Sequence, residues 1–224
     1  MHIEPGLVNE AKIVLSYATA AAAGGVALYH IARAARESGI ASVALRAAIA
    51  TVGTFTFFEI LPHFPIGVSE VHLILGSTLF LILGAGPAAL GLAMGLLVQG
   101  LFFAPFDLPQ YGMNVTTLLV PLFALHEVAK RVIAPGTAYV DLAYRQVLSL
   151  SMVYQGGIVA WVAFWALYGA GFGAENLAAI GTFGLAYMVV VLIEPIADLA
   201  VLAGAKALRA QGSGLVTPRL YSAA

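Results

Sequence analysis

The sequence has no cysteine among its 224 residues. Disulfides, thiolate metal sites, iron–sulfur clusters and thiol catalysis are therefore excluded, and any metal ion must be bound by nitrogen, oxygen or thioether donors. Charge is also scarce, because charged residues make up 9% of the chain, compared with about 25% in soluble domains. The net charge of −1 excludes the basic surface that nucleic-acid binding requires.

Apolar residues dominate what is present, since 61% of the chain is hydrophobic and the mean hydropathy is +0.96. Such a chain is an integral membrane protein whose solvent is the lipid bilayer. A spanning helix needs about 20 mostly apolar residues. We therefore expect an all-α, multi-pass protein with about seven spans in the cell inner (cytoplasmic) membrane. Its single domain divides into a lead (1–11), a helical bundle (12–205) and a short tail (206–224).

The hydrophobic runs locate the spans. We expect them at residues 12–33, 41–61, 71–84, 88–104, 115–133, 147–171 and 177–205. The third is the shortest and opens with His72, and Ser69 is interpreted as its N-cap. Small residues from Ala18 to Ala27 give the first span a close-packing face, directed either into the bundle or toward a partner subunit.

The basic residues predict the orientation. With seven spans, all ten lysines and arginines except Lys12 fall on one side of the membrane. Because cytoplasmic loops carry the excess of Lys and Arg, we expect the N-terminus outside and the C-terminus in the cytoplasm. The lead, the loop 62–70, His72 and the loop 105–114 then share the outer face.

The N-terminus carries the candidate chemistry. Residues 1–10 lack the basic n-region of a cleavable signal, and His2 is too large for efficient removal of Met1, so we expect Met1 to be retained. The α-amine of Met1, the peptide nitrogen of His2 and the His2 imidazole can then chelate one divalent ion. His72 supplies a fourth nitrogen, in a tetragonal set that suits Ni²⁺ or Cu²⁺ and admits Co²⁺. The residues alone leave a second interpretation open, in which the two histidines occur at these positions by chance and bind no metal.

Five further residues are candidates for supporting such a site. Glu59 and Glu70 are carboxylates that could orient the imidazoles, or ordinary interfacial acids. His63 is an alternative ligand or a loop residue, and Asn114 a hydrogen-bond partner for the lead. Gln99 either lines the site or packs between helices, because a polar residue inside a span needs an internal partner. Glu194 and Asp198, one helical turn apart, are interpreted as forming hydrogen bonds between helices rather than a metal site.

The chain resembles the CbiM/NikM family, the cobalt- and nickel-specific substrate-binding (S) components of energy-coupling-factor transporters. The motifs that carry the resemblance are Met1-His2-Ile3, the spacing of His72 to Gln99, Gly86-Pro87, Gly112-Met113-Asn114 and the Pro121-broken span. The likeness is strongest in the lead and in spans three to five.

The resemblance implies a ligand set and a set of partners. The metal is held by the amine of Met1, by the main chain and side chain of His2, and by His72. Ni²⁺ or Co²⁺ is the transported substrate, and no organic cofactor is implied. The partners are a transmembrane coupling (T) subunit and two ATPase subunits, with a small accessory membrane subunit left open.

The chain departs from the family pattern around both parts of the site. The common lead Met-His-Ile-Met-Glu-Gly is replaced by Met1-His2-Ile3-Glu4-Pro5-Gly6, and Ser-His-Pro-x-Gly by Ser69-Glu70-Val71-His72-Leu73. Pro105-Phe106-Asp107 stands where His-Gly-Gly is common. These changes leave the predicted ligands in place and alter the residues around them.

Two other functions remain open at this point. The chain has no G-x-x-x-x-G-K-[ST] phosphate loop, so ATP hydrolysis must come from partners and an enzyme is not expected. A membrane metalloenzyme is disfavoured because no H-E-x-x-H motif and no acid pair in the outer half are present. A non-catalytic assembly or scaffold subunit would make the histidines irrelevant.

Overall fold

The computed structural model describes residues 2–8 and 10–210, and shows an all-helical bundle with one small hairpin. The helices are α1 (Ile13–Ser38), α2 (Ile40–Phe55), α3 (Gly76–Leu83), α4 (Ala85–Phe102), α5 (Tyr111–Val132), α6 (Tyr144–Ala170) and α7 (Ala174–Ala210). A π-helical segment, Thr56–Ile60, continues α2. The predicted tail, 206–224, is helical as far as Ala210, and Met1 and the rest of the tail lie outside the described residues.

In this described part, six helices are long and apolar enough to cross a membrane. The predicted third span is the exception, because α3 has 8 residues and reaches only about 12 Å. The chain nevertheless passes from one end of the bundle to the other between the hairpin and Gly84. It does so as an irregular segment, 72–75, followed by α3, whose Leu83 carbonyl accepts a hydrogen bond from Arg46 Nη1 at 2.8 Å.

Irregular backbone is tolerated inside a membrane protein where neighbouring protein groups satisfy it. In segment 72–75, the amide of Ile74 donates to the Glu194 carboxylate on α7. Just beyond, Asp198 on the same helix accepts from Ser77 Oγ at 2.6 Å and from Thr78 Oγ1. The hydrogen bonds predicted for Glu194 and Asp198 are present, and they position the segment that contains His72.

The closest helix packing lies between α2 and α4. A Cβ added at Gly91 would lie 2.1 Å from the Cβ of Ala50, and one added at Gly95 would lie 2.6 Å from the Cβ of Thr54. Small residues four apart let helices approach in lipid. The small-residue face of α1 is divided: Ala23 and Ala27 are buried in the bundle, whereas Gly25 is exposed and an added Cβ there would meet nothing within 4 Å. Both alternatives given for this face, packing and contact with a partner, therefore stay open.

Residues 64–71 form an antiparallel hairpin, which the sequence analysis did not predict. Strands β1 (Phe64–Ile66) and β2 (Ser69–Val71) pair with Ile66 opposite Ser69. Gly67 makes the turn with φ +66°, and an added Cβ would lie 2.3 Å from the Ala179 carbonyl oxygen. Ser69 is therefore a strand residue, and its prediction as a helix N-cap was wrong, because the following residues form a strand and an irregular segment before α3 begins.

The two ends of the bundle differ in charge. At one end, here called the basic end, Arg33, Arg46 and Lys130 line a cavity of about 600 Å³ beside Gly84. Lys206 Nζ also donates to Leu142 O there, at 2.8 Å. The opposite end, here called the hairpin end, holds the hairpin, the lead and the turn 105–110. The helices thus separate the basic residues from both predicted histidine ligands.

Candidate metal centre

The lead is fixed to the hairpin as an added strand segment. Ile3 forms an antiparallel bridge with Ser69. The His2 carbonyl accepts hydrogen bonds from Ser69 Oγ at 2.8 Å and from the Glu70 amide at 3.0 Å. The Glu4 amide donates to Val68 O at 3.2 Å. This pairing holds the backbone of His2 beside β2. Because His72 follows β2 directly in the chain, the two histidines lie close together.

Asn114 holds the other side of the lead. Its Oδ1 accepts the hydrogen bond of the Ile3 amide at 2.8 Å, across 111 residues of sequence. Asn114 is buried near the start of α5, and the Ile3 side chain is fully buried. Residues 2–4 are therefore held between the hairpin and α5 by hydrogen bonds on two sides and by an apolar anchor.

The two histidines meet in a buried pocket. His2 is 3% exposed and His72 is 2% exposed, and their ring centroids are 6.1 Å apart at an interplanar angle of 75°. Phe58, at the end of α2, contacts both rings, with centroid distances of 4.1 Å to His72 and 6.2 Å to His2. The apolar ring excludes water from one side of the imidazole pair.

The hydrogen bond of His72 identifies its ligand atom. Nδ1 lies 3.2 Å from the Leu73 carbonyl oxygen. A carbonyl only accepts, so Nδ1 carries the proton and Nε2 carries the lone pair. The imidazole is therefore suited to donate Nε2 to a metal ion.

Two carboxylates face His2. Its Nδ1 lies 2.6 Å from Asp107 Oδ2 and 3.4 Å from Glu70 Oε2. These acids and Glu4 line a cavity of about 290 Å³ that opens beside His2. Partial burial, together with the charges of Glu70 and Asp107, raises the pKa of Glu4. The cavity beside the imidazole pair is thus lined by carboxylates.

Asp107 was missed as a site residue by the sequence analysis, which noted it only as a departure from the family pattern. It lies in a 3-10 helix, Pro105–Gln110, that packs against α4. The available signal was an acid between two prolines in a polar loop on the expected outer face. Nothing in the local sequence shows that this acid reaches residue 2, because the contact joins residues on separate elements.

The remaining predicted residues lie beside the pair. Gln99 Nε2 donates to Phe58 O at 3.2 Å and to Glu59 Oε2 at 3.1 Å, so Gln99 and Glu59 hold each other behind Phe58. His63 is half-buried, with Nδ1 3.2 Å from Leu61 O. These three residues support the pocket wall and its rim.

Side chains alone do not form a complete metal site. Within residues 2–8 and 10–210, no three His, Asp or Glu side chains converge as ligands of one ion. A site at His2 therefore needs main-chain or terminal donors. The Met1 amine predicted for this role lies outside the described residues.

These features define a class: a multi-pass helical membrane protein that buries two imidazoles beside carboxylates at one end of its bundle. The chain belongs to the CbiM family, described as the cobalt uptake substrate-specific transmembrane region, which matches residues 2–211. It is therefore the transmembrane component of a metal uptake system.

Two solved structures share the fold. One, described as a transition metal transporter, is 19% identical with 96% of each chain covered and a TM-score of 0.64. The other, described as a truncated transition metal transporter, is 18% identical, covering 95% of this chain and 99% of that chain, with a TM-score of 0.60. At such identities the likeness establishes the fold alone. The search of curated proteins finds no match.

Proposed function

We propose that this chain is the substrate-capture (S) subunit of an energy-coupling-factor importer for Ni²⁺ or Co²⁺. The ion is bound by the Met1 amine, by the main-chain nitrogen and imidazole of His2, and by His72. One observation carries the proposal: the lead is paired with the hairpin so that the His2 ring lies 6.1 Å from the His72 ring in a buried pocket.

The chemistry follows from the position of His2. An amine, the next peptide nitrogen and the Nδ1 of a second-position histidine can close fused chelate rings around one ion, whereas Nε2 points away. His72 Nε2 then supplies a fourth nitrogen from the side of the hairpin. An all-nitrogen set with tetragonal geometry suits late first-row divalent ions, and Zn²⁺ is less well matched because it favours a tetrahedron.

The proposed orientation places the hairpin end outside the cell and the basic end in the cytoplasm. It is supported by the separation of Arg33, Arg46 and Lys130 from the histidines and by the excess of basic residues in cytoplasmic loops. The ion enters from outside through the acidic cavity. A coupling (T) subunit and two ATPase subunits supply the reorientation and the ATP hydrolysis, since this sequence has no phosphate-binding loop.

The decisive experiment adds two alanines ahead of Met1. The extension moves the free amine away from the His2 peptide nitrogen, so the chelate cannot close. A single added residue is avoided because a histidine at position 3 would form its own four-nitrogen chelate with the amine and two peptide nitrogens. We expect the purified protein, with its N-terminus verified by intact mass, to lose Ni²⁺ and Co²⁺ binding by more than about 100-fold, the upper end of single-residue effects at metal sites. Its melting temperature without metal should stay unchanged.

A matched control adds two alanines after Ala224 and should bind metal as the unmodified chain does. Normal binding by the N-terminally extended protein would overturn the amine-based site. Absence of Ni²⁺ and Co²⁺ binding by the unmodified protein would overturn the proposed function itself.

A further inference from the structure

Asp107 presents an unusual buried oxygen. Its side chain is 6% exposed, and Oδ2 lies 2.6 Å from His2 Nδ1. Among the described residues, no donor makes an aligned hydrogen bond to this oxygen. A buried carboxylate is costly unless it is hydrogen-bonded or bound to a cation. The oxygen therefore points to a positive ligand at this position.

The turn that carries Asp107 holds the carboxylate in place. Pro105 and Pro109 fix φ at two positions of the 3-10 helix. The Asp107 amide donates to Ala104 O at 3.0 Å, and the Ala104 amide donates to Gln99 O at 2.9 Å. The backbone is thus tied to the end of α4, which fixes the position of the Asp107 Cα beside the lead.

An ion chelated through Nδ1 comes within reach of this oxygen. Metal ions lie about 2 Å from an imidazole nitrogen. With Oδ2 only 2.6 Å from the same nitrogen, an ion that replaces the Nδ1 proton lies beside both atoms. The proton leaves to solvent, and the nitrogen lone pair and the carboxylate oxygen then face one cation.

We propose that Asp107 is an oxygen ligand of the transported ion and that it shifts the preference of the site toward Co²⁺ relative to Ni²⁺. This inference rests on the proposed function, and it adds a donor beyond the nitrogen set described above. Four nitrogens in a plane follow the usual affinity order, in which Ni²⁺ binds more tightly than Co²⁺. A fifth donor, a carboxylate oxygen, departs from square-planar geometry and reduces the advantage of Ni²⁺.

The test compares Asp107→Asn with Glu70→Gln. Both variants remove one negative charge from the same cavity. The Glu70 carboxylate lies 3.4 Å from His2 Nδ1, compared with 2.6 Å for Asp107, so it is the more distant of the two acids. Affinities for CoCl₂ and NiCl₂ are measured by equilibrium titration of the full chain in detergent micelles. We expect Asp107→Asn to weaken Co²⁺ binding at least about tenfold, a change of about 1.4 kcal/mol, and Ni²⁺ binding less. Glu70→Gln should weaken Co²⁺ binding by less than about threefold.

The inference would be overturned if both variants bound Co²⁺ and Ni²⁺ more weakly by the same factor and if high salt removed this difference from the parent chain. That result would show that the acids attract the ion only through long-range electrostatics. Unchanged binding in Asp107→Asn would also overturn it, while the proposed function would stand if the parent chain binds metal. A parent chain that binds neither ion overturns both.

A second measurement does not depend on a variant that folds. X-ray absorption of the Co²⁺-loaded parent chain should give five nitrogen or oxygen neighbours in the first coordination sphere. Four neighbours, all fitted as nitrogen with imidazole scattering, would exclude the oxygen ligand.

Discussion

At the scale of single residues, the contacts around each imidazole decide how well its ring nitrogens can bind a metal ion. Leu73 O accepts a hydrogen bond from the Nδ1–H of His72, so Nε2 is the ring nitrogen that carries the lone pair. Phe58 packs edge-on against the same ring, with an interplanar angle of 81°. His63, by contrast, sits in the loop before the hairpin, with Leu61 O as its neighbour. His72 and His63 therefore differ in their suitability as ligands.

The comparison of His72→Ala with His63→Ala tests that difference. Loss of the His72 imidazole removes one of the proposed nitrogens and opens a gap beside Phe58. We expect metal affinity to fall by more than about 100-fold, whereas His63→Ala should change it by less than about threefold. Bound Ni²⁺ or Co²⁺ per protein is counted by elemental analysis after desalting. Full stoichiometry in His72→Ala would remove His72 from the ligand set.

At the scale of elements, the junction between segment 72–75 and α3 is tightly constrained. Leu75 has φ 52° and ψ 32°, a left-handed conformation that is uncommon for a non-glycine residue. Gly76, the first residue of α3, lies against the ring of Tyr154, where an added Cβ would be 2.2 Å from Cζ. This close approach fixes where α3 begins and so how far His72 extends toward His2.

Gly76→Ala is predicted to disrupt this junction. The methyl group cannot fit unless Tyr154, which is fully buried, moves with its helix. Overpacking of this kind costs about 1–3 kcal/mol, so we expect a lower melting temperature and weaker metal binding. Both are measured on the protein in detergent.

Gly156→Ala is the matched control. Gly156 lies two residues further along the same helix as Tyr154, and an added Cβ there meets nothing within 4 Å. Alanine is favoured over glycine within a helix by about 1 kcal/mol, so this variant should be neutral or slightly stabilised. Equal behaviour of the two variants would contradict the role assigned to the Tyr154 contact.

At the scale of the whole molecule, the helices keep most of the basic residues at one end of the bundle and the histidines with their carboxylates at the other. Lys12, the exception in the charge distribution, donates from its Nζ to Gly169 O at 2.7 Å, at the hairpin end. Arg209 forms an ion pair with Asp141 at 2.5 Å, at the basic end. Under the proposed function and orientation, an ion bound at the histidines has to cross the length of the bundle, or its protein surroundings have to reorient, before it reaches the cytoplasm.

The natural absence of cysteine makes this orientation directly testable. Glu175→Cys and Ala134→Cys each place one thiol at an exposed position, the first in the first turn of α7 and the second after α5. In intact cells, a membrane-impermeant maleimide should label Glu175→Cys at once. It should label Ala134→Cys only after permeabilisation. The reverse pattern would invert the proposed topology and place the histidines on the cytoplasmic side.

Several features followed from the sequence alone. Hydrophobicity is a local property that lipid selects along each span, so the membrane class, the all-α fold and the approximate positions of the long helices could be predicted. The candidate donors could also be recognised, because an N-terminal amine followed by a histidine chelates through adjacent atoms. The family resemblance then supported His72 as the fourth ligand and Asn114 as a hydrogen-bond partner of the lead.

Other features were decided only by the tertiary structure. The irregular segment before α3 is held by Glu194, 120 residues away, which accepts the Ile74 amide. The lead pairs with β2 across more than 60 residues, as in the Ser69–His2 hydrogen bond. Asp107 reaches His2 because α4 and its following turn pack beside that pair. Each contact joins residues that are distant in sequence, and the packing of whole helices, rather than local pattern, brings them together.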